Sequence, residues 1–156
     1  MGPVIAVLAA SYLVGSFPTA FLLVKLTTRQ DVRMIGSGNV GATNALRAAG
    51  KVVGAVVFLV DASKGLLAAR VLAPWLLPAS TPALQFGCGV AAVVGHCFPV
   101  VLRFRGGKGV ATTIGLLVGT MPGVAVGCLA IWSAGFLLSR YVSFASLLMA
   151  VALPIA

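Results

Sequence analysis

The sequence predicts an all-α integral membrane protein, a single domain of residues 1–156 built as a bundle of about six spanning helices. Hydrophobic residues make up 60% of the chain, its mean hydropathy is +1.13, and only 8% of its residues are charged. Soluble chains carry about a quarter charged residues, so this chain has too few to cover a soluble domain. Long apolar runs alternate with short polar segments, and this alternation is typical of a multi-pass membrane protein.

The apolar runs give the expected spans, since about 20 apolar residues cross a hydrocarbon core about 30 Å thick. We expect spans at residues 2–26, 52–77, 82–102, 110–121 and 124–138, and a sixth that begins at residue 144. The glycines before residue 110 are expected to extend the fourth span, and Pro122-Gly123 to form an external turn. Residues 143–156 are too few to cross, so this run is either re-entrant or cut short, and we favour truncation.

Basic residues predict the orientation of the spans. The 11 Lys and Arg residues outnumber two acids and lie mostly between the apolar runs. Because positive residues remain in the cytoplasm, Met1 is expected outside and residues 27–50, 103–109 and 139–143 inside. Such residues also attract anionic head groups of membrane lipids. Base-stacking aromatic residues are not interleaved with them, so nucleic-acid binding is not predicted.

Asp61, Lys64 and Arg70 lie inside the second apolar run. Asp61 and Lys64 are three residues apart, so on a helix they face the same way and can pair. Charges within a membrane often mark function, and a structural ion pair is an equally good interpretation here. The three cysteines have no spacing typical of a metal site or a disulfide framework, so we predict neither a metal nor a cofactor.

A glycine-rich polar segment, which we call the first loop (residues 36–47), has the composition of a phosphate site. Glycines let backbone N–H groups converge on an anion, and a helix predicted from residue 42 adds its free N–H groups. The predicted binding residues are Ser37, Gly38, Asn39, Gly41, Thr43, Asn44 and Arg47. Thr43-Asn44-Ala45 stands where a Walker A loop needs Gly-Lys-Ser/Thr, so that motif is excluded. A tight structural loop is the alternative interpretation.

A second polar segment, the second loop (residues 103–113), repeats this pattern. Three glycines surround a lysine, and a helix is predicted to begin just after them. A basic cluster at the end of a span is often only a topology signal, but glycines permit close backbone approach and add no charge. The predicted binding residues are Gly106, Gly107, Lys108, Gly109 and Thr112, and His96 precedes them at the end of the third span.

Three segments resemble the signature loops of the bacterial acyl-phosphate:glycerol-3-phosphate acyltransferase family. They are Gly38-Asn39-Val40-Gly41-Ala42-Thr43-Asn44, Gly95-His96-Cys97-Phe98-Pro99 and Gly106-Gly107-Lys108-Gly109-Val110-Ala111-Thr112. Gly15-Ser16-Phe17-Pro18 and Asp61 to Gly65 are also similar to that family, and the resemblance covers residues 11–146. It implies a seven-span fold in the bacterial cytoplasmic membrane. It also implies a third motif after the last span, which this sequence does not reach. Ser146 is included among the predicted substrate-binding residues.

The resemblance implies transfer of a fatty acyl group from acyl-phosphate to the 1-hydroxyl of glycerol 3-phosphate in phospholipid biosynthesis, giving lysophosphatidate and phosphate. It implies a functional link to an enzyme that forms acyl-phosphate. Lys108 and His96 are the candidate catalytic residues, and the phosphate of the donor is an alternative proton acceptor. Val101 stands where the other glycerol-phosphate acyltransferase class has its Asp, so that class is excluded. A transporter of phosphate or phosphate esters is the competing hypothesis.

Overall fold

The structure, a computed structural model, describes residues 1–153, and these residues form helices joined by short connections. The α-helices are α1 (Gly2–Gly15), α2 (Thr19–Thr28), α3 (Ala42–Leu67), α4 (Ala73–Leu76), α5 (Pro82–Cys97), α6 (Val110–Thr120), α7 (Pro122–Ser139) and α8 (Val142–Ala152). Short 3-10 helices lie at Val32–Met34 and Val100–Leu102, and a π-helix, Ala68–Leu72, joins α3 to α4. The predicted all-α fold class is confirmed.

Four stretches are long and apolar enough to cross a membrane, namely Gly2–Thr28, Ala42–Leu76, Pro82–Leu102 and Pro122–Ser139. They correspond to the first, second, third and fifth predicted spans. Large apolar side chains on them point outward, for example Val126 and Leu138, which are 68% and 87% exposed. Apolar surface of this extent suits contact with lipid.

The fourth and sixth predicted spans are shorter than the others. Helices α6 and α8 contain 11 residues each, which gives each a length of about 16 Å. The glycines before α6 are not helical, so the expected extension of the fourth span is wrong. The expected turn at Pro122-Gly123 is also wrong, because Pro122 opens α7, where the first turn of a helix needs no proline N–H. Residues 154–156 of the sixth predicted run lie outside the described residues.

The first span is broken between α1 and α2. Pro18 has no N–H group, and the chain leaves the helical path at residues 16–18. At this break the carbonyl of Phe17 accepts a hydrogen bond from Lys64 Nζ at 2.6 Å, and the same Nζ lies 2.6 Å from Asp61 Oδ1. The predicted Asp61–Lys64 pair is therefore confirmed, and it also ties the second span to the break in the first.

Helix α3 bends sharply at Gly50, where φ is 87° and ψ is 177°. Glycine adopts this positive φ without the steric cost that a side chain would bring. The bend packs Leu46 against Gly54, so residues 42–49 fold back over the beginning of the spanning part of the helix. The helix predicted from residue 42 and the separate span predicted from residue 52 are both confirmed.

Two helix pairs, α1 with α5 and α3 with α6, approach so closely that glycine meets backbone. Small residues at such contacts let membrane helices pack through their main chains. The contacts are Gly15 with Ala92, Gly95 with Tyr12, Gly65 with Thr112, and Gly115 with Ala62. The end of α5 and the beginning of α6 are thereby held near α3, which places the second loop beside the first.

Candidate functional site

A cavity of about 340 Å³ lies among the first loop, the spanning part of α3, the beginning of α6 and the turn between α7 and α8. Its volume is within the range of small-molecule sites. Polar side chains and backbone line one part of it. An apolar wall lines the other part, formed by Phe58, Ile114, Leu129 and Trp132.

Most of the residues predicted for the site meet at this cavity. Those that line it are Ser37, Asn39, Gly41, Thr43, Asn44, Arg47, His96, Lys108, Gly109 and Ser146. Gly38, Gly106 and Gly107 are not among the lining residues. Thr112 is fully buried where the backbone of α6 packs against α3, and it is not among the residues that line the cavity. Two segments about 60 residues apart in sequence thus share one site.

Asn44 holds the first loop together from inside. Its side chain is 1% exposed, and its Nδ2 donates to the carbonyls of Val32 and Ile35, each at 2.9 Å. Its Oδ1 accepts the N–H of Ser37 at 3.2 Å. The side-chain amide is therefore engaged by the loop itself, and Asn44 contributes to the cavity by fixing the loop's shape.

The 3-10 helix before the first loop has its own capping group. Asp31 accepts the backbone N–H of Arg33 at 2.9 Å and pairs with the Arg33 guanidinium at 2.7 Å. The hydrogen bond from Arg33 holds the pKa of the Asp31 carboxyl below its usual value, although partial burial opposes this. This pair supports the segment to which Asn44 is bonded.

Two helix N-termini open onto the cavity. Helix α3 begins after Gly41 and helix α6 after Gly109, and neither glycine supplies a side chain to cap the first N–H groups. Such groups carry partial positive charge and bind anions. The guanidinium of Arg47 and the ammonium of Lys108 add full positive charge to the same cavity. The electrostatics of this region suit phosphate.

The second loop is held from outside, by the end of α5. The N–H groups of Gly106 and Gly107 donate to the carbonyls of Cys97 and His96, each at 3.1 Å. Gly107 also lies against the His96 ring, where an added Cβ would collide with Nε2. Lys108 follows directly, and its Nζ donates to Ser143 Oγ at 3.1 Å, which joins the loop to α8.

The cavity also contains residues that the sequence did not place there. Asp61 lines it beside His96, whose Nδ1 lies 3.6 Å from Asp61 Oδ1. Ser143 and Arg140 also line it, although the sequence indicated only that residues 139–143 face the cytoplasm. The spacing of Asp61 and Lys64 showed a buried pair, but nothing in the sequence indicated that α5 would bring His96 to it. Residues 1–153 contain no group of three His, Cys, Asp or Glu side chains suited to a metal ion.

Comparison with known proteins agrees with this geometry. The family model for glycerol-3-phosphate acyltransferases matches residues 5–156. The chain belongs to this family. The predicted family membership is confirmed by this match. Glycerol-3-phosphate acyltransferases function in phospholipid biosynthesis.

Two relatives named glycerol-3-phosphate acyltransferase illustrate the similarity. The protein from Sinorhizobium fredii is 45% identical over 149 residues, which cover 96% of this chain and 71% of the relative. The protein from Myxococcus xanthus is 47% identical over 142 residues, which cover 91% of this chain and 73% of the relative.

Two solved structures share the fold. They are crystal structures of PlsY, an integral membrane glycerol 3-phosphate acyltransferase, in a glycerol 3-phosphate form and a lysophosphatidic acid form. The first has a TM-score of 0.87 and 38% identity to this chain, and the second 0.83 and 36%. Each alignment covers 97% of this chain and 74% of the PlsY chain. This member of the glycerol-3-phosphate acyltransferase family is likewise an integral membrane protein.

Proposed function

We propose that this chain transfers a fatty acyl group from acyl-phosphate to the 1-hydroxyl of glycerol 3-phosphate, releasing lysophosphatidate and inorganic phosphate. One observation carries the proposal: the same cavity combines two open helix N-termini, Arg47 and Lys108 with an apolar wall. Both substrates carry phosphate, and the donor also carries a hydrocarbon chain. The glycerol 3-phosphate and lysophosphatidic acid forms of PlsY are consistent with this substrate and product.

The first loop and the second loop each present donors to a phosphate. Around the first, the residues assigned to binding are Ser37, Asn39, Gly41, Thr43 and Arg47, with Asn44 fixing the loop. Around the second, Lys108 and the N–H groups after Gly109 take this role, and Ser146 lies nearby. Two phosphate groups repel each other in a site of this size, so cations from both loops are needed to hold them together.

The apolar wall orients the acyl chain of the donor. Phe58, Ile114, Leu129 and Trp132 offer hydrocarbon contact next to the charged part of the cavity. An acyl chain that arrives from the bilayer is already in an apolar medium, so moving it onto this wall adds little hydrophobic free energy. The wall therefore aligns the carbonyl carbon, and the phosphate end supplies the affinity.

The chemical step needs no nucleophile from the protein. The 1-hydroxyl oxygen forms a bond to the acyl carbon, the bond from that carbon to the phosphate oxygen breaks, and the hydroxyl proton passes to the departing phosphate. Acyl-phosphate is a mixed anhydride with a good leaving group, so positioning and charge stabilisation account for the catalysis. Lys108 is assigned to stabilising the departing phosphate.

The cavity is assigned to the cytoplasmic side of a bacterial inner membrane, with Met1 outside. Impermeant thiol reagents test this in intact cells, after the natural cysteines Cys88, Cys97 and Cys128 are replaced. A cysteine placed in either loop should remain unlabelled. Labelling of only one loop would contradict a shared cytoplasmic site. With this orientation, an enzyme that forms acyl-phosphate on the cytoplasmic side supplies the donor to the cavity and is a functional partner.

The decisive experiment is acyl transfer by the purified full-length protein in lipid. Radiolabelled glycerol 3-phosphate is supplied with either acyl-phosphate or acyl-CoA of the same chain length. We expect lysophosphatidate from acyl-phosphate only. Transfer from acyl-CoA at an equal rate would reject the assigned donor, and transport of glycerol 3-phosphate into vesicles without transfer would favour the competing transporter hypothesis.

A further inference from the structure

A cluster of charged and polar side chains is buried next to the break in the first span, and two of its members, Asp61 and His96, also line the cavity. Asp61, Lys64 and His96 are 2%, 4% and 8% exposed. Ionisable groups at membrane depth are costly unless other groups satisfy them. The reaction proposed above uses none of the three as a reacting group, so their presence needs another explanation.

The cluster forms a chain of contacts that ends beside Lys108. Lys64 Nζ bonds both the Phe17 carbonyl and Asp61 Oδ1, each at 2.6 Å. His96 Nδ1 lies 3.6 Å from the same carboxylate oxygen, which is too long for a direct hydrogen bond. The other edge of the His96 ring lies against Gly107, and the His96 carbonyl accepts the N–H of Gly107.

A small second cavity, about 10 Å³, lies at the centre of this cluster. Asp61, Lys64 and His96 line it together with Ser16 and Thr19. Ser16 Oγ and Thr19 Oγ1 are buried and have no hydrogen-bond partner among residues 1–153. A space of about this size with two to four polar partners holds one water molecule, and a water bridges polar contacts longer than about 3.5 Å.

We propose that Asp61, Lys64, His96 and one water in the small cavity form a positioning network that fixes the second loop and thereby Lys108. The inference rests on the proposed function, because Lys108 is assigned there to phosphate. Asp61 acts through His96 and not on substrate, so it is a positioning residue. Loss of its charge leaves Lys64 without its counterion and removes the negative charge beside His96, and the backbone of Gly107 lies against that ring.

The first test measures hydrogen–deuterium exchange of the full-length protein in lipid nanodiscs. In Asp61→Asn we expect the amides of residues 106 and 107 to exchange about tenfold faster, because their acceptors belong to the segment that the network holds. Asp31→Asn makes the same chemical change at the partly exposed Asp31, which lies outside the cluster, and should leave these two amides unchanged. This readout does not depend on catalysis. Unchanged exchange at residues 106 and 107 in Asp61→Asn overturns the proposal.

The second test is a kinetic double-mutant cycle between Asp61→Asn and Lys108→Arg. If the network acts by placing Lys108, Asp61→Asn should lower kcat/KM about tenfold in the natural background and less than about threefold beside Lys108→Arg. Equal falls in the two backgrounds would mean that Asp61 only stabilises the fold. If Asp61→Asn does not fold, His96→Gln replaces it with the same expectations.

A third variant tests the water itself. Thr19→Val removes one of its hydroxyl partners at nearly constant volume, and we expect faster exchange at residues 106 and 107, by less than in Asp61→Asn. No change would overturn the part of the proposal that includes the water. Absence of transfer from acyl-phosphate by the natural protein, with exchange still responding to Asp61→Asn, would overturn the proposed function and leave the network in place.

Discussion

The two loops that meet at the cavity are supported in different ways. The first loop is held by a side chain of its own, since Asn44 bonds three backbone groups between residues 32 and 37. The second loop is held by its neighbours, through the carbonyls of His96 and Cys97 and the ring of His96. The first loop therefore keeps its shape through local contacts, whereas the second depends on how α5 packs against the other helices.

The largest effect is expected for Lys108→Ala. Loss of a cation beside the departing phosphate should lower kcat about a thousandfold, which is the upper range for one group that stabilises a developing negative charge. Lys51→Ala is the matched control, because Lys51 is exposed and lies outside the cavity lining. Steady-state kinetics in nanodiscs measures both. Near-normal turnover in Lys108→Ala would remove Lys108 from the phosphate site.

Gly107→Ala tests the external support of the second loop. The added methyl group collides with His96 Nε2, so the loop must shift, and we expect kcat/KM to fall about a hundredfold, as after a misplacement of about 1 Å. Gly127→Ala in α7 is the control, because nothing lies within 4 Å of a Cβ built there. A similar loss in both variants would show that the effect is general and not specific to the second loop.

Arg47→Lys separates charge from geometry at the first loop. The ammonium keeps the positive charge but loses the planar two-pronged contact with phosphate. A charge-assisted bond of this kind contributes about 1.5–3 kcal/mol, so activity should fall by about tenfold to somewhat over a hundredfold. Michaelis constants and rates are measured for glycerol 3-phosphate and acyl-phosphate separately. No change for either substrate would mean that Arg47 only orients the helix.

Asn44→Ala tests the internal support of the first loop, and its effect should be the smallest of the four. Three hydrogen bonds are lost, but the carbonyls of Val32 and Ile35 keep the backbone N–H groups of Ile35 and Gly38 as partners. The N–H of Ser37 loses its acceptor, which costs about 1–3 kcal/mol of local stability. We expect KM for glycerol 3-phosphate to rise about tenfold, with exchange at residues 106 and 107 unchanged. If those amides did exchange faster, the two loops would not be supported independently.

The fold class, the helix order and the two loops that line the cavity were predictable from local sequence. Apolar runs and basic residues are local signals, and so are the glycines of the two loops. The Asp61–His96 contact was not predictable, because the residues are 35 positions apart and meet only through the packing of α3 and α5. The role of Asn44 was hidden for a related reason: its position at a helix start suggested ligand binding, and only the fold of residues 32–37 shows its amide to be occupied.

Thr112 is a second residue whose role could not be predicted from local sequence. A threonine in the first turn of a helix after a glycine-rich loop is a reasonable phosphate ligand by composition. In the structure its backbone packs against Gly65 of α3, and its fully buried side chain is not part of the cavity lining. Which face of α6 turns toward the cavity depends on how that helix packs, and the spacing of residues in the loop does not determine it.

The apolar wall has a consequence for selectivity. Every phospholipid in the surrounding leaflet carries a hydrocarbon chain that Phe58, Ile114, Leu129 and Trp132 can accommodate as well as they accommodate a donor. The bulk lipids therefore compete with the proposed donor for this wall, and their surface density is far higher than that of any acyl-phosphate. Under the proposed function, discrimination comes from the polar end, where the proposed donor brings a phosphate with a single substituent and a phospholipid brings a bulky diester. The donor's availability is then its mole fraction in the leaflet, so diluting the membrane with inert lipid should slow the enzyme even when the amount of donor per litre stays the same.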